Sequence, residues 1–83
     1  MKREKPLLKI LNKTYTPDAL VDMKYKGLDV TLKTDKDGNP ILMFIGERKA
    51  NGLISGSRFS RTLIKDKQGT VLKDHWDHKG KAS

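Results

Sequence analysis

The chain reads as a mainly β protein of the α+β class: a four-stranded antiparallel meander preceded by a short N-terminal helix. Two observations predict it. Three turn signals punctuate the chain, at Asp35-Lys36-Asp37-Gly38-Asn39-Pro40, Asn51-Gly52 and Asp66-Lys67-Gln68-Gly69. The segments that they separate, within residues 24–78, are rich in β-branched, aromatic or alternating residues, as strands joined by short loops require.

The first elements carry the most ambiguous signals. Residues 1–6 are charged and expected to be loose. Leu7, Leu8, Ile10 and Leu11 suit one face of a short helix or a strand. At Thr16-Pro17-Asp18, Thr16 is a helix cap, Pro17 fits the first helical position and Asp18 favours the positive end of the dipole. These signals predict a helix from Pro17 to about Lys24. The competing reading is a strand showing Val21, Met23 and Tyr25 on one side.

Beyond Gly27 the apolar positions change parity, which marks a bulge or an element boundary. Clean alternation predicts a strand over 28–34. A second strand, 41–49, is nearly continuous in apolar character at its start, so both its faces are expected to be covered. A third spans 53–65 with an interruption near Gly56, and a fourth spans 70–77. Residues 79–83 are expected to fray.

Loop lengths then predict register. A four-residue loop at 66–69 sets Phe59 against Trp76, Arg61 against Asp74 and Arg58 against Asp77, pairs that cross-strand packing rewards. A two-residue turn at Asn51-Gly52 sets Phe44 against Phe59, which makes a row of Phe44, Phe59 and Trp76. A tight turn at Gly38 sets Val30 against Ile45 and Leu32 against Met43. Two apolar faces require two covers. The N-terminal segments supply one, or the sheet curls into a small SH3-like or OB-like barrel.

With 83 residues there is room for a single small domain, burying roughly 60–65% of its unfolded surface. Cysteine is absent, which excludes disulfides and thiolate metal sites and suits a cytoplasmic protein. The longest apolar run, Ile41 to Ile45, is far short of the ~20 residues of a membrane span, so no membrane partner is expected. The N-terminus begins like a signal peptide, but its apolar stretch is short and broken by Lys9, so it reads as part of the mature protein.

Net charge is +8, and it is concentrated in two regions: residues 1–26 and 58–83 are each +4, and 27–57 are neutral. That distribution steers polyanions, although charge also serves solubility. Ser57-Arg58-Phe59-Ser60-Arg61-Thr62 interleaves cations with an aromatic, as in sheet faces that bind single strands. Alternatively, Phe59 and Trp76 are simply core.

Asp74-His75-Trp76-Asp77-His78 gathers both histidines, but on a strand they point to opposite faces, so no metal is expected. Its Asp-His pair resembles the opening of the ββα-metal nuclease motif, yet the short tail lacks the further Asn and His. No phosphate loop or catalytic triad assembles, and no cofactor is expected.

The function expected is a non-enzymatic binding module contacting nucleic acid through Arg48, Lys49, Arg58, Phe59, Arg61, Lys65, Lys73 and Trp76. On this reading a double Arg58→Ala, Arg61→Ala change weakens binding and spares folding. The alternative is a protein-interaction or accessory domain that docks by an exposed strand edge, with another protein or as a homodimer.

Overall fold

The computed structural model describes residues 5–82. Helix α1 (Lys5–Leu11) leads into strands β1 (Leu20–Tyr25), β2 (Leu28–Thr34), β3 (Pro40–Arg48), β4 (Ile54–Lys65) and β5 (Val71–Ala82). The strands form one antiparallel sheet in sequence order. There are thus five strands rather than four. The sheet is open: among the described residues no pairing joins β1 to β5, so nothing supports a barrel.

The extra strand is β1, which occupies most of the segment expected to be a helix. Asp18 lies at φ 50°, outside helical geometry, and its amide donates to the Asp35 carbonyl at 2.9 Å. The buried Thr34 hydroxyl donates to the Thr16 carbonyl at 2.7 Å and accepts from the Ala19 amide at 2.9 Å. These long-range bonds turn Thr16–Ala19 onto the end of β2. Pairing with β2 then uses the period-two pattern of Val21, Met23 and Tyr25, which outweighs a local helix-start signal because it buries a whole row. The parity change at Gly27 is an element boundary: Lys26 and Gly27 both have positive φ, a two-residue turn whose twist suits a hairpin.

The three later hairpins share one loop design. Amides of Asp35, Lys49 and Asp66 donate to carbonyls of Asn39, Leu53 and Thr70, four residues on. Each loop therefore holds three residues and ends on a left-handed glycine: Gly38, Gly52 or Gly69. Asp35 and Asp66 brace their loops identically, each carboxylate accepting amides two and four residues ahead at 2.9 Å.

This design decides the register. Between β2 and β3 the loop acts with a bulge between Lys33 and Thr34, and Val30 faces Ile45 and Leu32 faces Met43 as expected. Between β3 and β4 the expected two-residue turn is one residue longer. Met43 therefore faces Phe59, and Phe44 faces Arg58. A one-residue slip moves side chains to the other face, so the row of Phe44, Phe59 and Trp76 does not form. Between β4 and β5 the loop shift and a bulge near Lys65 add a two-residue offset. Faces are conserved, but Phe59 meets His78 (ring centroids 4.8 Å apart), Arg61 meets Trp76, and Ser60 rather than Arg58 faces Asp77. Strand β4 runs unbroken through Gly56; the irregularity near there lies in its pairing with β5. Strand β5 continues past Asp77 through residues 79–82, which were expected to fray.

The core lies on one face of the sheet, where Val30, Leu32, Met43 and Phe59 pack with Leu7 and Leu11 of α1. Burying side chains of this kind stabilises by about 1.5–3 kcal/mol each. The helix has seven residues, too few to persist alone. Its two buried leucines, four apart, share a face. Tyr15 Oη donates to the Ile10 carbonyl at 2.7 Å, which anchors the helix end; burial pushes the Tyr15 hydroxyl pKa up. The twelve-residue strands β4 and β5 span about 40 Å at the usual strand rise, which accounts for the molecule's 42 Å length.

Two carboxylates are held more acidic by the fold. Asp29 accepts the Arg48 amide at 2.8 Å and pairs with Lys24 at 2.9 Å, and these bonds hold its carboxyl below the ordinary range. For Asp35, burial opposes ionisation, but the amides of Asn39 and Asp37 prevail and its carboxyl is also lowered. Both groups are more acidic folded than unfolded. The stability they contribute is therefore present above the unfolded pKa of about 4 and lost as pH falls through the folded values. Urea midpoints should stay level down to about pH 5 and fall below about pH 4. Asp35→Asn, which keeps the loop's acceptor, should flatten that acid limb; an unchanged limb in both Asp35→Asn and Asp29→Asn would refute this origin.

Candidate functional site

The eight residues expected to form a site are divided among four places. Phe59, Arg61 and Trp76 belong to the covered face. Phe59 is only 3% exposed, so it is a core residue and not a stacking platform. Trp76 is half-buried against the core cluster. The Arg61 side chain is 6% exposed. It holds Asp74 through two bonds of 2.6 and 2.7 Å, donates to the Leu11 carbonyl at 3.3 Å and the Pro40 carbonyl at 3.2 Å, and lies 5.6 Å over the Trp76 ring. Arg61 is a structural clasp between the end of α1 and the sheet. These contacts give reason to expect that its loss costs stability, contrary to the expectation that folding is spared.

Lys65 and Lys73 lie at the far end of the β4–β5 hairpin and are exposed. Along β4, Lys65 is roughly 23 Å from Arg58 at the usual strand rise. Lys49 is on the loop after β3, 3.3 Å from the Glu47 carboxylate, with both side chains largely exposed; such a pair contributes little.

Arg48 and Arg58 occupy the face opposite α1. Arg48 is engaged on every side: its guanidinium donates to the Gly52 carbonyl at 2.8 Å, the Thr31 hydroxyl at 2.9 Å and the Asp22 carboxylate at 3.1 Å. Thr31 in turn donates to Asp22 at 2.8 Å. This network braces three strands and leaves Arg48 poorly placed to grip an anion. Arg58 is exposed and makes no ion pair among the described residues.

A groove on this same face gathers several of these residues. Its volume is about 560 Å³ and it is lined by Phe44, Leu20, Leu53, Ile54, Arg58 and Lys81, with the Arg48–Asp22 network alongside. The register places Arg58 directly across from Phe44, so a cation and a half-buried aromatic stand side by side. Leu20 and Leu53 are 68% and 60% exposed, leaving the groove apolar at its rim. The sequence pattern places Phe44 in a row with Phe59 and Trp76 and Lys81 in a fraying tail, and nothing local in it points to the groove. Counting the 49–53 loop as three residues would have revealed the pairing of Phe44 with Arg58.

His75 and His78 lie on opposite faces: His75 pairs with Asp77 at 2.7 Å, whereas His78 packs on Phe59. Among the described residues no group of three or more His, Asp or Glu converges as metal ligands would, and no helix is long and apolar enough to cross a membrane. Comparison of the chain with protein-family models, with curated proteins and with solved structures yields no match.

Proposed function

We propose that this protein is a small basic binding module, without catalytic chemistry, that contacts nucleic acid through the sheet face opposite α1. The observation that carries this reading is the Phe44–Arg58 pair within a groove that also holds Lys81, on a chain of net charge +8. Unpaired cations beside an aromatic suit phosphate and base together. The contact set differs from the one expected from sequence: Arg58 is retained, Phe44 and Lys81 join it, and Phe59, Arg61 and Arg48 serve the fold.

Salt dependence is the test. Binding of labelled oligonucleotides should weaken steeply as salt rises, and Arg58→Ala or Lys81→Ala should each lower the slope of log K against log salt by about 0.7–0.9. Absence of binding at about 50 mM salt, where such contacts are strongest, would dismiss the reading.

A protein partner is the second reading. It is favoured by Val71 and Leu72, which are 50% and 65% exposed at one end of the open edge strand β5. Concentration-dependent association lost in Leu72→Lys would support a homodimer through this edge.

A further inference from the structure

The size and lining of the groove bear on which form of nucleic acid could enter it. Its volume of about 560 Å³ lies in the range of sites for one small ligand, so it has room for a nucleotide. Its aromatic, Phe44, is half-buried in a concave lining with Leu20, Leu53 and Ile54. A flat array of stacked base pairs cannot reach such a ring. A duplex would have to flip a base out to use it, whereas a single strand offers the faces of its bases freely.

Charge orients the occupant. Strand order runs from β1 to β5. The carboxylate in the lining, Asp22 of β1, is paired with Arg48 of β3, whereas the cations Arg58 and Lys81 are on β4 and β5. Asp22 is already occupied by Arg48 and Thr31. Arg58 and Lys81 make no ion pair among the described residues. A phosphate is attracted to the two unpaired cations on the β4–β5 side rather than to the neutral Asp22–Arg48 pair, and a base attached to it falls over Phe44.

We propose that this groove takes one unpaired nucleotide of a single strand, its base against Phe44 and its phosphate between Arg58 and Lys81, and thereby selects single strands over duplex. This rests on the nucleic-acid reading above. The test is fluorescence anisotropy at about 50 mM salt, with a labelled single-stranded oligomer of roughly 12 nucleotides and a hairpin duplex of matched charge. Wild-type protein and Phe44→Leu are compared, with urea midpoints to verify the fold of the variant.

The wild type should bind the single strand at least about tenfold more tightly than the hairpin, a preference of the size base–aromatic stacking supplies. Phe44→Leu should weaken single-strand binding by roughly tenfold with its salt slope unchanged, and leave hairpin binding as it was. Equal wild-type affinity for the two forms would overturn the inference while sparing the nucleic-acid reading, whatever the variant's folding. A preference that survives unchanged in folded Phe44→Leu would also overturn it. Failure of both forms to bind would end both readings.

Discussion

Arg61→Ala is expected to destabilise the protein by about 3 kcal/mol, the larger part of what a marginal domain of this size possesses. Three losses combine. The Asp74 carboxylate loses a two-bonded partner, although its 37% exposure lets water replace some of that interaction. The carbonyls of Leu11 and Pro40 lose a charged donor, and an acceptor left unsatisfied in a buried setting costs about 1–3 kcal/mol. Trp76 loses the guanidinium over its ring and the packing of the aliphatic stem. Urea unfolding followed by Trp76 fluorescence measures the effect. Arg58→Ala is the internal control: three residues away on the same strand, on the other face and without an ion pair among the described residues, it should change stability by less than about 0.5 kcal/mol. A loss below about 1 kcal/mol in Arg61→Ala would show that the clasp is dispensable.

Gly38→Ala is the second large effect, and Gly69→Ala isolates its cause. The two glycines occupy equivalent loop positions with φ of 85° and 86°, so the left-handed backbone penalises alanine equally, by about 1 kcal/mol. Their surroundings differ. A Cβ on Gly69 meets nothing within 4 Å, whereas one on Gly38 would lie 2.2 Å from the Tyr15 carbonyl oxygen. That backbone is tied in place, because the Tyr15 amide donates to the Gly38 carbonyl at 2.8 Å. Relief of the overlap must push the Tyr15 segment, and with it the hydroxyl that anchors α1, away from the sheet. Gly38→Ala should therefore cost roughly 2 kcal/mol more than Gly69→Ala, in the range of overpacked sites. Equal urea midpoints for the two variants would show that the contact yields without cost.

Several features could be read directly because their causes are local. Alternation from Leu28 to Thr34, together with the glycine-containing loops, specifies strands through side-chain period and backbone conformation, and both act within a few residues. The facing of Val30 with Ile45 and Leu32 with Met43 agrees with the expected tight turn, although it is reached by a three-residue loop and a compensating bulge between Lys33 and Thr34. The core role of Phe59, one of two readings weighed for it, is what the fold adopts. By contrast, the fate of Thr16–Lys24 was not legible. Its capping signals were genuine, but they were outweighed by bonds to Thr34 and Asp35, which are distant in sequence.

The candidate site was legible only in composition. Basic and aromatic residues were visible in the chain, but which of them share a face depends on register. One additional residue in the 49–53 loop moved Phe44 away from Phe59 and set it beside Arg58. Arginines three apart on β4 look equivalent in sequence, yet Arg61 is buried as a clasp and Arg58 faces solvent. Composition, strand pattern and turn chemistry therefore determined that this is a basic antiparallel β protein, since each is written in neighbouring residues. Tertiary structure alone decided the fifth strand, the buried arginine and the groove, because each arises where residues far apart in the chain compete for the same hydrogen bonds, the same face or the same space.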